Sequence, residues 1–333
     1  MPERALTFGV LGAARIAVNA LIRPARRVPG VAVAAVAARD PARAERFAAR
    51  YGIPRVHRSY AALLDDPAID AVYIPLPNSL HAEWTIRALQ AGKHVLCEKP
   101  LAANAAEAER MAAAAGAAGR LLAEAFHYRY HPLAARLKAI LDSGEIGEIQ
   151  HLEAEFSVPL LRPGSVQFRY ELAGGATMDV GCYAINLLRF LAGAEPEVTG
   201  ARARLLRPQV DRLMTAALRF ADGRTARMTC GLLSARLFRA GAVVRGTAGD
   251  MQVVFPYLPH HFHWISVRAG GQVRRERVGG ATTYAHQLAA FARAVRTGEP
   301  PLTGAVDGIA NMRVIDAIYR AAGLLPRGVD ATP

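Results

Sequence analysis

Leu6-Thr-Phe-Gly-Val-Leu11 is a short, nearly continuous apolar run, the pattern of a strand buried on both faces, and it ends in Gly12-Ala-Ala-Arg-Ile-Ala17 before a helical stretch. A second apolar run, Val31 to Ala38, is followed by Asp40-Pro41, an N-cap and a first helical position. A third, Ala71 to Ile74, leads through Pro75-Leu-Pro-Asn-Ser79 into a helix from about His81 to Ala91. Asn78 or Ser79 can cap that helix, and Gly92-Lys93 ends it. His94 to Cys97 is the next strand and stops at Glu98-Lys-Pro100. Strands alternating with helices predict a right-handed parallel βαβ array whose ligand crevice lies at the strands' carboxyl ends. Gly12, Arg39, Asn78 and Lys99 then share one edge of the sheet.

An alanine-rich helix and a short strand span Ala105 to Leu122, and after Glu124-Ala-Phe-His-Tyr-Arg-Tyr-His-Pro132 the pattern changes. Strand-like segments recur without helices between most of them: Ile149 to Val158, Arg202 to Leu206, Leu213 to Phe220, Thr225 to Leu233, Val243 to Arg245, Met251 to Val254, Trp264 to Val267 and Gln272 to Val278. The expected fold is α/β with two domains. Residues 1–124 form a doubly wound Rossmann sheet, and 125–333 an α+β substrate-binding and oligomerisation domain with a large open, mainly antiparallel sheet. Between the first two strands of that second sheet, Gly174-Gly175 reads as a flexible entry to an apolar helix over Ala184 to Leu191. Asp179 and Tyr183 are four apart, so a helical stretch puts them on one face.

The size suits two cores: 333 residues, 52% hydrophobic and 21% charged. No apolar run approaches the roughly 20 residues of a membrane span, and Leu6 to Leu11 is too short for a signal-peptide core, so a cytoplasmic protein is expected. Cys97, Cys182 and Cys230 are far apart and form no CxxC, which points to buried free thiols. His260, His261 and His263 have no nearby Cys, Asp or Glu at ligand spacing, so no metal is expected. The net charge of +13 is spread along the chain without interleaved aromatics, favouring a small anionic ligand over a nucleic acid. Of the 41 basic residues only Lys93, Lys99 and Lys138 are lysine, which marks each as a place where a compact, tunable ammonium is wanted.

In the dinucleotide fingerprint GxGxxG, glycines permit the turn, the approach to pyrophosphate and the helix packing; here only Gly12 is intact, with Ala14 and Ala17 at the other positions. Where an acidic residue would hold the ribose 2′-hydroxyl the chain has Ala38-Arg39, which favours a 2′-phosphate and hence NADP over NAD.

From Gly9 to Ala17, through Val72 to His81, Ala91 to Pro100 and Glu124 to Arg129, to Gly174 to Tyr183, the chain resembles the Gfo/Idh/MocA oxidoreductases. The resemblance implies catalysis by Lys99, Asp179 and Tyr183. It implies cofactor contacts from Gly12, Ala13, Ala14, Arg15, Ile16, Arg39, Leu76, Asn78, His81, Glu98, Lys99 and Arg169. It also implies substrate contacts from Lys99, Arg129, Asp179 and Tyr183, and a homodimer or homotetramer built through the C-terminal sheet, for which Met214, Ala216 and Leu218 offer an apolar face. Tyrosine at 183 is similar to the glucose-fructose oxidoreductase, dimeric dihydrodiol dehydrogenase and D-xylose dehydrogenase branch. The implied chemistry is hydride transfer between NADP and a CH–OH or C=O carbon of a sugar or a related polyol or dihydrodiol, with Lys99 and Tyr183 beside the nicotinamide. A tyrosine titrates near pH 10 unperturbed, and an adjacent ammonium lowers that value. Alternatives are a ketoreductase of a nucleotide-linked keto-sugar and, in another class, a non-catalytic sensor, against which the full set of three residues counts.

Overall fold

The computed structural model describes residues 4–161, 164–233, 235 and 237–329. They fall into two compact units, each drawn from several stretches of chain: 1–102, 106–130 and 281–309 in the first, 103–105, 131–280 and 310–333 in the second.

The first unit holds β1 (Leu6–Leu11), β2 (Val31–Ala37), β3 (Arg55–His57), β4 (Ala71–Ile74), β5 (His94–Cys97) and β6 (Leu122–Glu124) in one parallel sheet. The order β3-β2-β1-β4-β5-β6 reverses direction between β1 and β4, which opens a crevice at their carboxyl ends. Between the strands run α1 (Arg15–Ala17), continued through a π turn over Val18–Ile22 into α2 (Arg23–Ala25), then α3 (Pro41–Tyr51), α4 (Tyr60–Leu64), α5 (His81–Gln90) and α6 (Ala105–Ala118). Two expected caps are made differently. Asp40 and Leu80 stand at the N-caps of α3 and α5, and neither forms a side-chain cap. Asn78 and Ser79 instead enter a 3-10 turn, Asn78–Leu80, whose backbone bonds satisfy the amides that a side chain would have capped.

The second unit holds α7 (Pro132–Asp142), β7 (Ile149–Ser157), α8 (Cys182–Ala192), β8 (Glu197–Arg207), β9 (Val210–Arg219), β10 (Thr225–Gly231), β11 (Arg239–Gly246), β12 (Gly249–Val254), β13 (Trp264–Ala269) and β14 (Gln272–Glu276). Its sheet runs β14-β13-β12-β11-β7-β10-β9-β8, antiparallel except where β10 lies parallel to β7. Helix α8 packs on β7 and β10. Strict alternation puts Leu152, Ala154 and Phe156 of β7, Ala226, Met228 and Cys230 of β10 and Met214, Ala216 and Leu218 of β9 in the chain's own core. Met214, Ala216 and Leu218 are therefore unavailable as an oligomer face, contrary to expectation: the pleat turns them inward and leaves Thr215, Ala217 and Arg219 outward. The three cysteines are buried and unpaired with one another.

The segment after β14 returns to the first unit. Thr282 caps α9 (Thr283–Thr297) by accepting from Ala285 N–H, and Gly298 in the left-handed region ends it. Leu288, Phe291 and Ala292 of α9 enter the same core as Phe8, Val10 and Tyr73, with the Phe8 and Phe291 rings 5.5 Å apart. A linear division after residue 124 leaves this helix with the other domain, because contacts between residues some 280 positions apart have no local signature. The last helix is α10 (Ala305–Ala321). Among the described residues no helix is long and apolar enough to cross a membrane.

Candidate active site

In the first unit Gly12 leaves β1 at φ +110°, and a Cβ there would lie 3.1 Å from Leu76 Cδ2, so only glycine lets the chain turn at this depth. Its N–H donates to Ala37, and Ala14 N–H donates back to Gly12. Ala13 is buried, Ala14 adopts extended backbone with no side-chain bond across the first amides, and Arg15 and Ile16 open the helical run on the exposed side. A helix start of this kind, made without bulky side chains, fits the diphosphate of a dinucleotide.

Arg39 lies exposed just beyond β2. One turn into α3, Arg43 donates from Nη2 to Ala13 O at 2.9 Å, fixing a second guanidinium against the glycine turn. Tyr60 hydrogen-bonds the Arg39 backbone; burial raises its phenol above the ordinary tyrosine value, although Arg39 and Arg43 both pull the other way. Arg43 and Tyr60 join the candidate residues here, and neither is among those expected from the sequence. Arg43 had a signal, its place one helical turn after Arg39, whereas Tyr60 comes from a different βα unit.

His81 is fully buried, with its ring nitrogens 2.9 Å from the carbonyl oxygens of Leu76 and Pro100. Burial holds its pKa below the usual histidine value, with Lys99 adding to the effect and the carbonyls opposing it. It acts on the crevice through the loops after β4 and β5 that it ties together.

Lys99 follows β5 and is half-buried. Glu98 next to it accepts a short hydrogen bond from Tyr73 Oη and a 3.3 Å bond from the Lys99 backbone N–H. Tyr284 of α9 adjoins the same pair: burial raises its phenol far above the normal range, Glu98 raises it further and Lys99 counters. The His127 ring lies against Tyr284, tilted by 44°, with the ring centres 4.1 Å apart. Tyr284 thus stays a neutral phenol beside Lys99, a neighbour brought in by α9. Arg129 forms an ion pair with Asp307 at 3.7 Å. The other two lysines explain themselves. Lys93 Nζ clamps the Asp66 and Ile69 carbonyls at 2.8 Å each, and Lys138 pairs with Asp142 on the surface.

In the second unit Gly174 and Gly175 are buried and closely packed, not a flexible entry: a Cβ on Gly174 would sit 2.7 Å from Gln167 O, and one on Gly175 2.2 Å from Asp211 Oδ1. They lead into a π turn, Thr177–Gly181, continuous with α8. Asp179, on this wide turn, donates its N–H to Gly175 O, and Tyr183 lies in the first turn of α8. Its ring is held edge-on by Phe156 and Tyr257, each 5.6 Å away centre to centre. Arg169 lies between two 3-10 turns and pairs with Glu171 at 2.6 Å. His263 is a loop lock, donating from Nδ1 to Pro259 O and accepting at Nε2 from Val278 N–H. Among the described residues no group of three or more His, Cys, Asp or Glu could hold a metal.

Residues 6–126 match the oxidoreductase family with an NAD-binding Rossmann fold, and residues 134–252 the GFO/IDH/MocA C-terminal domain. The chain belongs to the Gfo/Idh/MocA family. This Gfo/Idh/MocA protein is 38% identical to D-xylose 1-dehydrogenase (NADP(+)) 2 of Haloferax volcanii over 95% of its own length and 97% of the relative's. It is 36% identical to dTDP-3,4-didehydro-2,6-dideoxy-alpha-D-glucose 3-reductase of Actinomadura kijaniata over 95% and 96%. The crystal structure of a 3-ketoreductase from Actinomadura kijaniata, in complex with NADP and TDP-benzene, superposes with a TM-score of 0.89 at 33% identity, covering 96% of this chain and 98% of that one. Like its family, this protein is an oxidoreductase built on a nicotinamide-dinucleotide fold.

Proposed function

We propose that this Gfo/Idh/MocA enzyme is NADP-dependent and interconverts a CH–OH and a C=O carbon of a sugar or sugar-like substrate. The observation that carries the cofactor choice is the pair Arg39 and Arg43 beside the Gly12 turn, with Ala38-Arg39 in place of a ribose-binding carboxylate. Two guanidiniums suit a 2′-phosphate, whose charge-assisted bonds are worth about 1.5–3 kcal/mol each. The Gly12 turn and the amides of Arg15 and Ile16 would hold the diphosphate, with Leu76, Asn78 and Glu98 along the strand ends. Bound there, NADP supplies the hydride acceptor or donor at C4.

The protein's own part is proton transfer and charge control. Tyr183 Oη, as phenolate, takes the hydroxyl proton in oxidation and, as phenol, returns it in reduction; the Lys99 ammonium steadies the alkoxide, and Asp179 orients a substrate hydroxyl. Arg129 and Arg169 remain candidates for the substrate and cofactor respectively, each now seen with an acidic neighbour. A keto-sugar reductase fits the same residues, and the relatives include a sugar dehydrogenase, keto-sugar reductases and dihydrodiol dehydrogenases. NADPH absorbance followed against aldoses, polyols and keto-sugars tests the proposal; no turnover of any of them defeats it.

Arg39→Asp is expected to lower the kcat/KM ratio of NADP over NAD by about 10²-fold, the loss of one to two charge-assisted bonds. An unchanged ratio removes Arg39 from the phosphate site. Self-association belongs to the proposal through the outer face of the second sheet. A depression of about 700 Å³ there is lined by Val243, Val254, Phe238, Phe255 and Phe262 together with the charged Glu153, Glu155, Arg227 and Arg239, and Phe238 and Phe262 are exposed. Light scattering is expected to show a dimer or tetramer that Phe238→Glu dissociates; a monomer refutes it.

A further inference from the structure

We propose that a fully buried ion pair, Asp211 with Arg327, positions Asp179 and Tyr183 by fixing the entry of their π turn. Asp211 Oδ2 accepts from both Thr177 N–H and Thr177 Oγ1, each at 2.7 Å, at the first residue of that turn. Asp211 Oδ1 accepts from Arg327 Nη2 and Tyr319 Oη, each at 3.0 Å. Arg327 Nε donates to Gly174 O at 2.7 Å, its Nη1 to Leu325 O at 3.1 Å, and its guanidinium lies 4.0 Å over the Tyr319 ring. Asn104 Nδ2 holds the Arg327 carbonyl at 2.8 Å. The two charges thus grip the chain on both sides of Gly175, whose φ of +133° and lack of Cβ leave room for the Asp211 carboxylate.

A buried ion pair is weak evidence for stability, since desolvation offsets most of its attraction. Its cost is understandable if it selects one backbone arrangement. A π turn needs such selection, because an α-helical path is the ordinary alternative and π turns occur mostly as single turns at functional sites. Sliding Thr177 back into an α-helical register would break both Asp211 bonds, rotate Asp179 and shift Tyr183 along the helix axis. A displacement of about 1 Å in a reacting group can cost about 10²-fold in rate. Asp211, Arg327 and Thr177 are positioning residues in this scheme; none touches substrate.

Because the scheme rests on the catalytic roles proposed above for Asp179 and Tyr183, the test pairs Asp211→Asn with Tyr183→Phe. Asparagine keeps the shape but presents an NH2 group to the donors now facing the carboxylate. Asp211→Asn is expected to speed amide hydrogen exchange over residues 175–183 by at least about tenfold, with β5 unchanged, and to lower kcat for NADP-linked oxidation of D-xylose by about 10²-fold with the KM for NADP within about twofold of the parent. Arg136→Met, which breaks the Arg136 to Glu276 pair on α7 and β14, is the control and should move neither readout.

Thr177→Val keeps the N–H bond and loses the Oγ1 bond; it should reproduce part of the effect, and Thr177→Ser should restore parent values. These two decide the matter if Asp211→Asn does not fold. Parent exchange over 175–183 in folded Asp211→Asn, or equal behaviour of the valine and serine variants, overturns the positioning role. If Asp211→Asn loosens 175–183 while Tyr183→Phe retains parent kcat, the catalytic assignment has failed instead.

Discussion

Tyr183→Phe is expected to lower kcat by about 10²- to 10⁴-fold, the usual worth of a positioned general acid or base. The substitution removes one hydroxyl and keeps the ring. Phe156 and Tyr257 contact the ring edge-on, so the packing that fixes its orientation survives. Melting temperature should therefore stay close to that of the parent. NADPH affinity, measured by fluorescence titration, should also be retained, since the cofactor contacts proposed here come chiefly from the first unit. Tyr284, which α9 brings into the electrostatic reach of Lys99, cannot substitute: burial raises its phenol above the ordinary tyrosine value, so it holds its proton. Full activity in the phenylalanine variant would remove Tyr183 from the chemistry.

Lys99→Arg should cost about 10²- to 10³-fold in kcat, the range seen when one stabilising donor is lost from a developing oxyanion. Charge is conserved in this change, but shape and proton chemistry are not. Guanidinium is a planar fork that stays protonated, while an ammonium is a compact point charge whose affinity for a proton responds to its surroundings. Lys99 stands at the end of β5, its backbone N–H bonded to Glu98 and its charge felt by both Tyr284 and His81. The larger head group would press into that neighbourhood. Parent kcat in Lys99→Arg would reduce the residue to a generic positive charge, and recovery of Lys99→Ala by added primary amines would support the ammonium role.

The scarcity of lysine pointed to three positions without ranking them. Lys93 needs an ammonium for a structural reason, since one Nζ serves two carbonyls inside a loop, and Lys138 answers to a surface carboxylate. What separates Lys99 is its strand-end location, which followed from the βα alternation. Arg39 was legible for the same reason. Arg43 and Tyr60 were not, because the first is anchored by a bond to Ala13 and the second arrives from α4, a five-residue helix too short to show periodicity.

Gly174-Gly175 shows how composition can mislead about physics. Paired glycines suggested slack; the structure shows both positions packed against backbone oxygens or the Asp211 carboxylate, with glycine required by the lack of space. The helix expected from Ala184 begins earlier, so that Asp179 and Tyr183 lie on one continuous helical run, and nothing local announced that its first turn is π.

By itself the sequence determined the parallel sheet, its carboxyl-end crevice, the glycine turn, the NADP-leaning Ala38-Arg39 and the family, because each is written in residues a few positions apart through steric limits and the periodicities of 2 and 3.6. Tertiary structure alone decided that α9 packs into the core of the first unit and brings Tyr284 within the influence of the Lys99 charge. It also decided that Met214, Ala216 and Leu218 face inward, and that Asp211 and Arg327 close on Gly175 and Thr177. Those outcomes depend on which surfaces pack to exclude water and which buried charges find partners, and both are settled between residues far apart in the chain.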